Sequence, residues 1–149
     1  MATIVVGENS YVTEAELTTY ADDRGETISG DTSVLLIKAM DYIEMQSYKG
    51  LLYVDGQDLV FPRTFYNWDT EDAGEVPPKV KEAQLVSALL IDQGADLTPS
   101  FGRAVKREKV DVIEREFMDN AQTVTTYPQI TRLLAYYLDN AGGLWVDRA

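Results

Sequence analysis

The stretch from Val76 to Gly94, Val-Pro-Pro-Lys-Val-Lys-Glu-Ala-Gln-Leu-Val-Ser-Ala-Leu-Leu-Ile-Asp-Gln-Gly, leaves the chain the least freedom. Proline is tolerated in the first turn of a helix, where its missing N–H would have no partner, and glycine past the last turn takes the left-handed conformation that closes it. Both ends of a helix are therefore marked. Between Leu85 and Ile91 almost no polar face remains, and a helix apolar all round is wrapped by other elements. The stretch predicts a central packing helix with no chemistry of its own.

The flanking sequence supplies the wrapping. Thr13 followed by Glu16 is the reciprocal capping arrangement, so a first helix is expected from about Glu14 to Arg24, stopped at Gly25. A Gly/Ser/Thr/Asp-rich loop leads to a second helix from near Ser33 to Gly50, with Leu36, Met40 and Ile43 on one stripe and Leu35, Ala39 and Tyr42 beside it. A last helix opens at Pro128, carries the stripe Ile130, Leu133, Leu134, Tyr137 and Leu138, and stops at Gly142-Gly143. Thr3 to Val6 reads as a short edge strand or arm, and Asp55-Gly56 between Leu51–Val54 and Gln57–Phe61 reads as a small hairpin or looped excursion. Residues 105–117 suit a helix through Val105, Lys109, Val112, Ile113 and Glu116, and a strand through the alternation of Val110 and Val112. Periodicity leaves both open, and the β-branched side chains lean towards an extended segment. The expected fold is mainly α (α+β): a compact bundle of about four helices with an extended β hairpin or arm, in one domain over residues 1–149.

Charge and missing residue types narrow the function. The 149 residues include 13 basic and 25 acidic side chains, a formal charge of −12, which disfavours nonspecific phosphate binding unless the cations are gathered. They are partly gathered: residues 103–109 hold Arg103, Lys106, Arg107 and Lys109 against Glu108 alone. On a solvated strand face these charges need no ligand; in a nucleic-acid binder they would be the phosphate contacts. With neither histidine nor cysteine, the commonest general base, thiolate chemistry and the usual zinc ligands are missing, and acidic pairs such as Asp22-Asp23 or Glu114/Glu116 read as surface charge rather than metal ligands. No enzyme, metal or cofactor is expected. The N-terminal residues lack the charged start and long apolar core of a secretory signal, and no apolar run approaches a membrane span, so the expectation is a cytosolic protein or part of a soluble assembly.

Two aromatic groups stand apart from the helical stripes. Phe65, Tyr66 and Trp68 follow Phe61-Pro62-Arg63 in an irregular segment, where they could lid the core, anchor an interface or stack bases. Arg63 is expected to be fixed by carboxylates or helix C-terminal carbonyls, within the subunit or across an interface. Leu144, Trp145, Val146 and Arg148 lie beyond the last glycine stop, so residues 144–149 either fold back on the core or dock into a partner.

These pieces together resemble a family of tailed-bacteriophage head–tail adaptor or head-completion proteins, many of which carry the label DnaT-like single-stranded DNA-binding protein. The residues that carry the resemblance are Ser10-Tyr-Val-Thr13, Lys38 to Glu44 with Gly50, Phe61-Pro-Arg63, Val76-Pro77, Val105-Lys-Arg-Glu-Lys-Val110, and Pro128 with Ile130 and Leu133-Leu134. Phe61 stands where the family has tryptophan before Pro-Arg, and Asp111 where a glycine often follows Lys-Val. The resemblance implies a helical body with a β arm, assembled as a ring of twelve below the portal and joining capsid to tail. Its partners would be the portal protein, a tail or nozzle protein and its own copies, in the virion neck after synthesis in the host cytoplasm, with no membrane. Arg63, Phe65, Tyr66, Trp68, Leu144, Trp145, Val146 and Arg148 would be the partner contacts. Genomic DNA would pass an acidic channel without sticking. The alternative is a true single-stranded DNA binder using Arg103, Lys106, Arg107 and Lys109; the overall charge sets the expectation of weak binding near physiological salt.

Overall fold

The computed structural model describes residues 2–64, 74–97 and 127–139. Among them are four helices and one two-stranded antiparallel sheet: α1 (Glu14–Asp23), α2 (Thr32–Glu44), β1 (Leu51–Leu52), β2 (Arg63–Thr64), α3 (Pro78–Asp92) and α4 (Pro128–Leu134). The fold is α-dominated and mixed, as expected. The uncertain segment 105–117 lies outside the described residues.

The helix read as the hub is the hub. α3 packs against α2, α4 and α1, and every residue from Val80 to Asp92 is at least partly buried. Pro77 and Pro78 form its N-terminal turn and Gly94 follows with φ +98°. A helix wrapped on three sides must satisfy its buried polar groups internally. Ser87 does so by donating its hydroxyl to the Ala83 carbonyl at 2.7 Å.

α1 begins with the reciprocal cap: the Glu16 amide donates to Thr13 Oγ1 at 3.1 Å, and the Thr13 amide donates to the Glu16 carboxylate at 2.7 Å. Leu17 and Ala21 face the core. Asp31 caps α2 by accepting from the Ser33 and Val34 amides, and the Ser33 hydroxyl and Val34 amide hold its carboxyl below the ordinary range. Leu35, Leu36, Ala39, Met40 and Ile43 bury one face of α2, with Tyr42 partly buried beside them.

The ends of α2 and α4 differ from expectation, and residues 51–61 and 3–6, each open between two readings in the sequence, are decided by side-chain bonds. α2 stops at Glu44, not Gly50. Residues 47–49 pair instead with the chain after α4: the Asp139 amide donates to the Ser47 carbonyl and the Lys49 amide to the Tyr137 carbonyl, both at 2.9 Å, around a Tyr48–Leu138 bridge. α4 ends at Leu134 through the same pairing: the Tyr137 carbonyl is taken by Lys49, and the chain leaves the helix in a turn whose Leu134 carbonyl accepts from the Tyr137 and Leu138 amides and which buries Tyr137. Gly142-Gly143 lies outside the described residues. Of the two readings of residues 51–61, the looped excursion holds: β1 pairs with Arg63–Thr64, and the Gln57 side chain closes the loop between them. Its carbonyl accepts from the Val54 amide at 2.9 Å, and its amide donates to the carbonyls of Leu59 at 2.7 Å and Pro62 at 2.8 Å. Residues 3–6 form no strand: the Asn9 side chain accepts from the Val5 amide and donates to the Thr3 carbonyl, both at 2.8 Å, folding the segment over Gly7. Among the described residues no helix is long and apolar enough to cross a membrane.

Candidate functional site

Phe61 forms the joint between the hairpin and the helical body. It is 2% exposed, and the rings of Tyr48, Tyr137 and Tyr11 meet it edge-on at centroid distances of 4.8, 5.7 and 6.3 Å. Such edge-to-face contacts set ring edges against the negative face of a neighbouring ring. The Phe61–Pro62 peptide is cis. Half-buried Glu44, at the end of α2, ties the joint together by accepting from the Tyr11 hydroxyl at 2.8 Å and the Val60 amide at 3.0 Å. The Tyr11 hydroxyl in turn accepts from the Phe61 amide at 3.1 Å. Burial raises the Glu44 carboxyl above its ordinary value against the opposing effect of these hydrogen bonds, and burial likewise raises the hydroxyls of Tyr11 and Tyr48.

Arg63 is fixed by carbonyls, though not by those of a helix end. Its guanidinium donates to the carbonyls of Lys49 and Gly50, both at 2.8 Å, with longer contacts to Tyr48 and Val60. The planar fork thus gathers the turn that precedes β1. On the other side of the joint, the Ser10–Thr13 motif is anchored by Gln84 of the hub helix, which is fully buried. Gln84 accepts from the Tyr11 amide at 2.9 Å and donates to Ser10 Oγ at 2.8 Å and to the Leu36 carbonyl at 3.2 Å. Sequence reading passed over Gln84 and Glu44, since a single polar residue in or after an apolar run has no local sign of its partners.

The remaining predicted contacts, Phe65, Tyr66, Trp68, Arg103, Lys106, Arg107, Lys109, Leu144, Trp145, Val146 and Arg148, lie outside the described residues. The described ones carry 16 acidic and 7 basic side chains, so the body they form is itself strongly negative. Three of the seven cations make intramolecular contacts: Arg63 as above, Lys49, and Arg24, which lies 3.5 Å above the Tyr20 ring and 3.9 Å from the Glu82 carboxylate. Lys49 stands 5.2 Å from the ring centre of Tyr136, an aromatic the sequence had not singled out and which is 64% exposed. No group of three or more acids among the described residues is arranged to hold a metal ion. An open pocket of about 400 Å³ between the N-terminal turn and the hairpin is lined by Val6, Leu59, Phe61, Pro62 and Val76, with Lys81 and Glu75 at its polar side.

Over residues 2–149 the chain matches the family described as "Putative DnaT-like ssDNA binding protein". The chain belongs to this family. No curated protein and no solved structure matches it. The match to the DnaT-like family spans every segment that carried the resemblance, from Ser10–Thr13 through Phe61–Arg63 to Pro128. Its description names single-stranded DNA, which moves weight from the adaptor reading to the DNA-binding one.

Proposed function

We propose that this chain binds single-stranded DNA, with phosphate contacts supplied chiefly by Arg103, Lys106, Arg107 and Lys109. Membership of the DnaT-like family over nearly the whole chain is the observation that supports this reading. The role is binding rather than catalysis and uses no cofactor. Because the described body is acidic, affinity must come from a few gathered cations. Four phosphate contacts on a single strand correspond to an affinity falling with roughly the third power of salt concentration. Fluorescence anisotropy of a labelled oligothymidine, followed from about 20 to about 200 mM salt, measures that slope. Lys106→Glu with Arg107→Glu abolishes the binding if those residues carry it. Absence of binding by the unaltered protein at the lowest salt overturns the reading.

The charge of the body favours a second reading. A ring subunit between portal and tail, in the virion neck, is served by an acidic surface that DNA slides past and by partner contacts at Phe65, Tyr66, Trp68 and the 144–149 segment. In this reading the ring has twelve copies, the portal protein above and a tail or nozzle protein below, with no membrane contact. Mass measurement of the protein alone and mixed with portal particles separates the two functions. An adaptor forms a defined complex with the portal, and truncation after Gly143 abolishes that complex while leaving the thermal midpoint of the free protein unchanged. A large loss of stability with portal binding retained would assign Trp145 to the core.

A further inference from the structure

On the described body one surface departs from the acidic background. From Tyr127 to Asp139 the only acidic residue is Asp139 at the far end, and the solvent side of α4 and the turn after it exposes Gln129, Arg132 and Tyr136. Tyr136 is 64% exposed, and its ring does not hang free: it meets the buried ring of Tyr137 edge-on at 5.1 Å. Lys49 is carried to the same place by the hydrogen bond its backbone N–H donates to the Tyr137 carbonyl, with its ammonium over the Tyr136 ring, 5.2 Å from the centre. Arg132, in the last turn of α4 and four positions before Tyr136, is also exposed, and no ion pair holds it among the described residues. An exposed ring on a rigid support, with one cation over it and a second exposed on the preceding helix of a strongly negative molecule, has the parts of a base-stacking platform: a π-system that a base can meet by displacing the lysine, and positive charge for the adjoining phosphates.

We propose that Tyr136, with Lys49 and Arg132 beside it, stacks a base of single-stranded nucleic acid. The inference rests on the DNA-binding reading and adds a site on the described body. Exposed aromatics can equally serve a protein interface, but two exposed cations, Lys49 and Arg132, against the single carboxylate of Asp139 reverse the acidic balance of a chain of charge −12 and favour a polyanion. Sequence tolerance follows, since every base offers a π-face.

The test compares Tyr136→Ala, Tyr136→Phe and the Lys106→Glu/Arg107→Glu double variant in the full chain, using anisotropy of labelled oligothymidine at low salt. Tyr136→Ala is expected to weaken binding roughly tenfold, and Tyr136→Phe, which keeps the ring, to restore it. Photocrosslinking of an oligonucleotide containing 5-iododeoxyuridine should label the peptide that carries Tyr136, a readout that a merely structural role would not produce. If Tyr136→Ala binds as tightly as the unaltered protein while the double variant does not bind, the platform is overturned and the DNA-binding reading stands. If the unaltered protein does not bind at all, both fall. Unchanged DNA affinity of Tyr136→Ala with loss of association to another protein would assign the surface to protein docking and overturn the platform.

Discussion

Glu44 shows how one carboxyl can organise a joint and carry a pH signature. Its folded-state affinity for a proton exceeds that of the unfolded chain, because burial outweighs the hydrogen bonds from Tyr11 and Val60. Its contribution to stability is therefore fully present below the unfolded pKa and is lost as pH rises through the raised folded one. Glu44→Gln removes this ionisation, so its thermal midpoint relative to the unaltered protein should climb from about pH 4 to neutrality. A difference that stays constant over that range would show that Glu44 does not titrate as its surroundings dictate. Arg63 acts at the same joint through geometry. With its fork gone, the carbonyls of Lys49 and Gly50 lose their donor, and Arg63→Ala should destabilise by about 1–2 kcal/mol in urea unfolding. Arg63→Lys should recover only part, because a point charge cannot span both oxygens. An unchanged unfolding midpoint for the alanine variant would make Arg63 an ordinary surface arginine.

At the level of elements, the helices differ in what holds their ends. α1 carries a complete side-chain cap, whereas α3 has proline at its start and no side-chain cap bond. α3 can do without one because its burial against three helices dominates its stability. α1 is short, with only Leu17 and Ala21 buried, and leans on its cap. Thr13→Ala should therefore cost about 1 kcal/mol, seen as a lower urea midpoint with unchanged slope. No measurable loss would mean that docking of the Ser10–Thr13 motif on Gln84, rather than the cap, fixes the start of α1. The hairpin is similarly held less by its ladder than by side chains, since two residues per strand are too few to stand alone. Gln57 closes the excursion and Phe61 roots it.

At the scale of the whole molecule, charge governs behaviour more than any contact. A chain of −12 repels itself, and the one ion pair among the described residues, Arg24–Glu82, is exposed and long at 3.9 Å. Screening should relieve the repulsion, so the thermal midpoint of the free protein is expected to rise as salt goes from about 10 to about 500 mM. A falling midpoint would reveal attractive pairs outweighing the net charge. The same salt weakens binding to DNA, so stability and DNA affinity should move in opposite directions across one titration.

Local signals in the sequence determined a good deal: the central helix with its Pro and Gly boundaries, the Thr13/Glu16 cap, the apolar faces of α2 and α4, and the α-dominated fold class. Each depends on residues within a turn or two of one another, where periodicity and capping chemistry act directly. Tertiary structure decided the ends of α2 and α4, the strand that pairs with β1, and the partners of Glu44, Arg63 and Gln84. In each case the deciding hydrogen bond joins the site to residues its local pattern does not specify: Lys49 to Tyr137, Thr64 to Leu51, Tyr11 to Glu44 and to Gln84. The exposed Tyr136 beside Lys49 has the same origin, because 87 positions separate them in the chain and only the backbone pairing of residues 47–49 with 137–139 brings a cation to that ring.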